Sequence, residues 1–180
     1  MEFVKTEFDG LVVVKPKVFM DERGYFFESF NKNEFKRNAI DVDFVQDNQS
    51  KSDRNVLRGL HFQNPPFAQG KLVQVIKGAV LDVVVDIRKN STTYGKHFKI
   101  ELSEENKTML FIPPGFAHGF LTLLDETIFS YKCTNFYNKE SEKSLLWNDK
   151  TLNIDWDVSS PILSEKDKLA ENFQSFISPF

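Results

Sequence analysis

Apolar and polar residues alternate along this chain in short runs, and turn residues separate the runs. Residues 11–14 form one such run and 24–30 another. Residues 71–76 lead into Lys77-Gly78, a turn signal, and then into 79–87. In that last run Leu81, Val83, Val85 and Ile87 share one face, while Asp82, Val84, Asp86 and Arg88 share the other. The simplest expectation is that the two acids face solvent on the polar side of a half-exposed strand. If that face lines a pocket instead, one of them can orient a histidine. Further strands are expected at 98–102, 108–112, 116–123 and 127–134. Helices are expected at 31–38 and 164–173.

Many short strands without intervening helices argue for a sandwich or barrel rather than strand-helix-strand units. The expected fold is mainly β, an antiparallel jelly roll with a few short helices and a mouth between its sheets. A length of 180 residues fits one domain, 1–180. Nineteen phenylalanines reinforce the β reading, because aromatic side chains favour strands.

Charge and cysteine content narrow the function. The net charge is −3 with signs interspersed, so no basic stripe exists to track a phosphate backbone and nucleic acid is not an expected partner. Cys133 is the sole cysteine, which rules out an intramolecular disulfide and suits a reducing cytosol. Residues 1–10 carry four charges and no apolar core of signal-peptide length. No run reaches the roughly 18 apolar residues of a membrane span. The expected location is the cytoplasm, away from membranes.

Only three histidines occur, His61, His97 and His118, and none has a second metal-ligating partner at close spacing. No metal is expected. His61 lies in Val56-Leu57-Arg58-Gly59-Leu60-His61-Phe62-Gln63, with Lys71 following at the head of an apolar strand. A cation entering an apolar run is costly unless it is paired or faces a cavity. Histidine suits general-base work because its ordinary pKa, about 6.5, lies near neutrality. His118 lies between two glycines in Pro114-Gly115-Phe116-Ala117-His118-Gly119-Phe120, where close packing brings a polar tip near a ligand. Tyr131 shares a strand face with Thr127, Phe129 and Cys133. It serves as a proton donor only if a base stands across a cavity from it. Ser164-Glu165-Lys166-Asp167 reads as a capping box, which by itself explains Asp167. Arg23, Arg58 and Arg88 read either as surface residues or as phosphate ligands, and Arg23 beside Gly24 suits the latter. No Walker-type or GxGxxG loop is present.

In order along residues 10–170, these segments resemble the dTDP-4-dehydrorhamnose 3,5-epimerase family. The matching pieces are Asp21-Glu22-Arg23-Gly24-Tyr25-Phe26-Phe27-Glu28, Gln46-Asp47-Asn48-Gln49-Ser50, Leu57-Arg58-Gly59-Leu60-His61, Gly70-Lys71-Leu72-Val73, Asp82 to Arg88, Gly115-Phe116-Ala117-His118-Gly119-Phe120, Tyr131-Lys132 and Trp147-Asn148-Asp149. The resemblance implies a cupin-type jelly roll acting as a homodimer without metal or cofactor on dTDP-4-dehydro-6-deoxyglucose. It makes His61 the base, oriented by Asp167 or by Asp82, Lys71 the group that stabilises the enolate oxygen, and Tyr131 the acid on the opposite face. It places Arg23, Glu28, Gln46, Asp47, Asn48, Arg58, Lys71, His118, Glu142 and Lys166 on the nucleotide and sugar, with Tyr137 or Phe26 stacked on thymine. Phe62, Phe67 and Asp157 depart from the family pattern and leave sugar preference open. The rival readings are a mono-epimerase inverting C3 or C5 alone, a 3,4-ketoisomerase and a non-catalytic sugar-binding jelly roll.

Overall fold

A computed structural model describes residues 1–180. The strands are β1 (Glu2–Lys5), β2 (Val12–Lys15), β3 (Phe19–Asp21), β4 (Gly24–Phe26), β5 (Gln46–Ser52), β6 (Leu57–Gln63), β7 (Lys71–Lys77), β8 (Ala79–Asp86), β9 (His97–Ser103), β10 (Met109–Ile112), β11 (Phe116–Thr122), β12 (Thr127–Cys133) and β13 (Glu142–Ser144). Two short helices are α1 (Lys32–Arg37) and α2 (Glu165–Lys168). A six-stranded sheet runs β1-β2-β10-β7-β12-β5 and a five-stranded sheet runs β13-β6-β11-β8-β9, while β3 and β4 form a separate hairpin. Every pairing between these strands is antiparallel. The architecture is the expected cupin-like jelly roll.

Three apolar clusters explain why so many strands read as hydrophobic. Between the sheets lie Val73, Val75, Val80, Val84, Leu110, Phe116, Phe120 and Phe129, among others. The outer face of the five-stranded sheet carries Leu57, Val83, Val85 and Leu121, covered by Leu145, Leu152, Ile154 and Trp156. The outer face of the six-stranded sheet carries Val12, Val14, Leu72 and Phe111, covered by Phe35 of α1 and by Ile40. A strand covered on both sides loses its polar face. β8 is such a strand, so the solvent-facing reading of Asp82 and Asp86 is wrong: both are fully buried. The parity of the run was read correctly, but its second face points into the molecule. Asp86 is satisfied there by Arg88, Ser91 and Thr93, with Thr93 Oγ1 donating to Oδ2 at 2.6 Å.

Two other expectations are corrected. The run at 24–30 is a strand only to Phe26. The helix expected at 164–173 stops at Lys168, because Glu171 N donates to Ser144 O and Phe173 N donates to Asp149 Oδ2. Those bonds tie the chain to its neighbours instead of to the preceding helical turn. α1, by contrast, lies within its expected range. Asn31 caps it by accepting from Asn33 N and Glu34 N.

Strands β6 and β11 approach unusually closely beside both site histidines. A Cβ on Gly59, whose φ is +135°, would sit 2.4 Å from Gly119 Cα. Only glycine allows that backbone and that approach. The register places His61 opposite His118 and shifts before Phe120.

Candidate active site

His61 lies on β6 of the five-stranded sheet and projects into a cavity of about 380 Å³ between the two sheets. Lys71 opens β7 and Tyr131 lies on β12, both in the six-stranded sheet, and both line the same cavity. The Lys71 ammonium lies 5.9 Å from the Tyr131 ring centroid. A potential base and a potential acid are therefore supplied by opposing sheets, with a cation beside the acid. Across the same gap the rings of Phe120 and Phe129 stack with centroids 4.1 Å apart.

His61 Nε2 lies 2.5 Å from Asp167 Oδ1. Asp167 also donates its backbone N–H to Ser164 Oγ at 3.1 Å. Ser164 thus caps α2 as expected, while the Asp167 carboxylate meets His61 and does not return to the Ser164 backbone to complete a capping box. Burial alone would raise the Asp167 carboxyl, but the His61 hydrogen bond and charge outweigh it and hold it below its ordinary range. Asp82 is not the partner of His61. Its Oδ2 meets His118 Nε2 at 2.9 Å, deep in the interior.

Burial shapes the other cavity groups. Desolvation lowers the Lys71 ammonium, opposed by the charges of Cys133, Asp82 and Glu142. Desolvation raises the Tyr131 phenol, so it stays protonated near neutrality. Desolvation also lowers His118, against the pull of Asp82.

A second lobe of about 260 Å³ adjoins the first and shares His61, Lys71 and Tyr131 with it. Gln46, Asn48 and Glu142 line this lobe. β5 explains the selection: Gln46, Asn48 and Ser50 are partly buried on one face, while Asp47 faces out and pairs with Lys132 at 2.9 Å. Gln46 Nε2 donates to Asn48 Oδ1 at 3.1 Å and Gln46 Oε1 accepts from Tyr137 N at 2.9 Å. Glu142 pairs with Lys166 at 2.5 Å and accepts from the Tyr137 hydroxyl at 2.9 Å. Arg58 lines the first lobe and donates to Ser52 Oγ.

The structure therefore brings His61, Lys71, Tyr131, Asp167, His118, Arg58, Gln46, Asn48 and Glu142 to one cleft, with Lys166 tied to Glu142 at its edge. Arg23, Glu28 and Asp47 do not line it. Arg23 is exposed on the β3–β4 hairpin and pairs with Asp21, and Glu28 accepts from Asn31 Nδ2. Residues to which the sequence reading gave no role also line the cleft, notably Ser50, Ile162 and Leu163. A lone serine or leucine carries no chemical signal that sequence could report. No group of three or more His, Cys, Asp and Glu side chains is placed to hold a metal ion. No helix is long and apolar enough to cross a membrane.

Comparison with known proteins gives a consistent picture. A sequence profile of the dTDP-4-dehydrorhamnose 3,5-epimerase family matches residues 5–175. The chain is 54% identical over 175 residues to the dTDP-4-dehydrorhamnose 3,5-epimerase of Shigella flexneri, covering 96% of each. The Bacillus anthracis enzyme of that name, solved with TDP and pyrophosphate bound, superposes with a TM-score of 0.94 at 44% identity, covering 96% of this chain and 99% of that one. A Legionella pneumophila epimerase solved with dTDP-4-keto-L-rhamnose gives a TM-score of 0.93 at 44% identity, covering 98% and 94%.

Proposed function

Since this chain belongs to the dTDP-4-dehydrorhamnose 3,5-epimerase family, we infer that it converts dTDP-4-dehydro-6-deoxy-D-glucose to dTDP-4-dehydro-L-rhamnose. The observation that carries this reading is the placement of His61 and Tyr131 on opposing sheets around one cavity that Lys71 also lines. C3 and C5 of the sugar both flank the C4 ketone, so both carry acidic protons. His61 removes the proton from C5, and the electron pair moves onto the keto oxygen. The Lys71 ammonium meets that oxyanion, a charge that exists only during reaction. Tyr131 then delivers its phenolic proton to the other face of the carbon; the His61 imidazolium releases its proton to solvent and the Tyr131 phenolate takes one up, which restores both groups. The sequence repeats at C3. Proton transfer alone accounts for the chemistry. Asp167 holds the His61 ring in place and stabilises the imidazolium that forms.

We assign Gln46, Asn48, Arg58, His118, Glu142 and Lys166 to binding of the nucleotide sugar, on the strength of their place in the two lobes. Arg23 and Glu28 lie outside this chain's own cleft, on or beside a hairpin whose Phe19, Met20, Tyr25 and Phe26 are all more than half exposed. Such a patch favours burial against another protein surface. We propose that a homodimer covers it and that the hairpin completes the partner's nucleotide site. We place the protein in the cytoplasm as one domain over 1–180.

The test is incubation with the dTDP-4-keto sugar in deuterated water. Deuterium at both C3 and C5, followed by NADPH oxidation when a rhamnose-forming reductase is added, is the expected result. Label at one carbon alone would establish a mono-epimerase, and no label would end the reading.

A further inference from the structure

Asp82 lies in the middle of β8 and is fully buried. Its Oδ1 is the one buried side-chain oxygen or nitrogen in the chain without a hydrogen-bond partner. A carboxylate left half satisfied in an apolar interior costs stability, and its persistence points to a task. The other cavity carboxylates also have side-chain partners: Asp167 meets His61, and Glu142 meets Lys166. Lys71, the cation of the cavity, has no carboxylate within 4.0 Å. The titratable and charged groups around it are Tyr131 and Cys133 of β12, Arg58 and His61 of β6, His118 of β11, Asp82 of β8, Glu142 of β13, and Lys166 and Asp167 of α2. β10, its other neighbour in the sheet, presents Ile112 opposite it. Of these carboxylates only Asp82 keeps a buried oxygen with no hydrogen-bond partner, and its charge favours the Lys71 ammonium.

Asp82 also settles the state of His118. Burial favours the neutral ring. The ring proton then lies on Nε2, facing the carboxylate at 2.9 Å. Nδ1 makes no hydrogen bond within the protein and carries a lone pair.

We propose that Asp82 is a positioning residue of the epimerisation: it holds His118 as a hydrogen-bond acceptor toward the cavity and supplies the counter-charge of the Lys71 ammonium. The group that His118 meets is then a donor, a sugar hydroxyl or the ammonium, and not a phosphate oxygen. The inference rests on the reaction assigned above, yet its first test does not need turnover. In wild-type protein labelled with 15N-histidine, correlation spectra from pH 6 to 9 should show His118 protonated at Nε2 and bare at Nδ1. A proton on Nδ1, or an imidazolium titrating in that range, would overturn it. The second test is Asp82→Asn, with folding checked by thermal melting. Removal of a nearby opposite charge should move the alkaline limb of kcat/KM down by about one pH unit. A uniform loss at every pH, with the limb unmoved, would reduce Asp82 to a structural role. If wild-type protein incorporates no deuterium into the sugar, the reaction itself is wrong, a failure that the His118 spectra distinguish.

Discussion

Asp167→Asn keeps the shape of the side chain and removes its charge, so it isolates what the anion does for His61. The bond between them is 2.5 Å long, and the Asp167 side chain is only 3% exposed. A hydrogen bond to a charged group contributes about 1.5–3 kcal/mol. If that stabilisation is realised in the imidazolium formed during proton abstraction, its loss lowers kcat by roughly 10- to 150-fold. His61 is 29% exposed, so water replaces part of the interaction and the lower half of that range is expected. KM should move little, because the bond strengthens with charge on His61 and not with substrate binding. The assay is deuterium exchange at C3 and C5 followed by NMR. Ser164→Ala serves as the control: it removes the cap, at a cost of about 1 kcal/mol in stability, and leaves the carboxylate in place. The pH dependence gives a second readout. The folded carboxyl lies below its unfolded value of about 3.9, so the stabilisation is present above that pH and disappears as pH falls through the folded value. Wild type and Asp167→Asn should therefore converge in stability in acid. A kcat for Asp167→Asn within about twofold of wild type, or an equal loss in Ser164→Ala, would refute the orienting role.

Tyr131→Phe should lose net inversion while exchange from the His61 face persists, which NMR in deuterated water resolves; equal loss of both would count against the acid role. His61→Ala should abolish most turnover yet still bind dTDP by calorimetry. Asp86→Ala strands Arg88 and two hydroxyls, and a cost of about 3 kcal/mol should lower the melting temperature by roughly 6–12 °C. The Asp86 carboxyl is held down to about 2, where hydrogen bonds from Arg88, Ser91 and Thr93 outweigh the upward push of burial. That stabilisation should thus survive to about pH 4 and fade as pH approaches 2. Phe26→Asp on the exposed hairpin should shift the species in light scattering from twice 20.9 kDa to a single chain and weaken nucleotide binding. A stable active dimer in that variant would remove the hairpin from the interface.

The strands that read clearly in the sequence are those whose inward residues are apolar, as in β7, β8 and β11. β5 was not legible as a strand, because its inward residues are Gln46, Asn48 and Ser50, polar for the sake of the cavity. β6 was obscured by Gly59, which the approach to Gly119 demands. The helical reading ran past Lys168 because periodicity in 169–173 cannot show that Asp149 and Ser144 capture the backbone there. In the site, motif context drew notice to His61 and Lys71, and the family resemblance grouped them with Tyr131. The choice between Asp82 and Asp167 was not readable, since both lie far from His61 in sequence and only the sheet packing assigns Asp82 to His118. The position of Arg23 and Glu28 away from the cleft was equally hidden, because a motif does not state where in the fold its residues lie.

The stacked pair of Phe120 and Phe129 has a consequence for substrate range. These rings act as a shim between two rigid plates that carry the opposing proton-transfer groups. The width of the slot available to a pyranose is set by aromatic thickness, and close-packed interiors resist compression. Changes in which keto sugars are accepted can therefore arise from substitutions of these two rings, which line the cavity, with every titratable side chain around it intact.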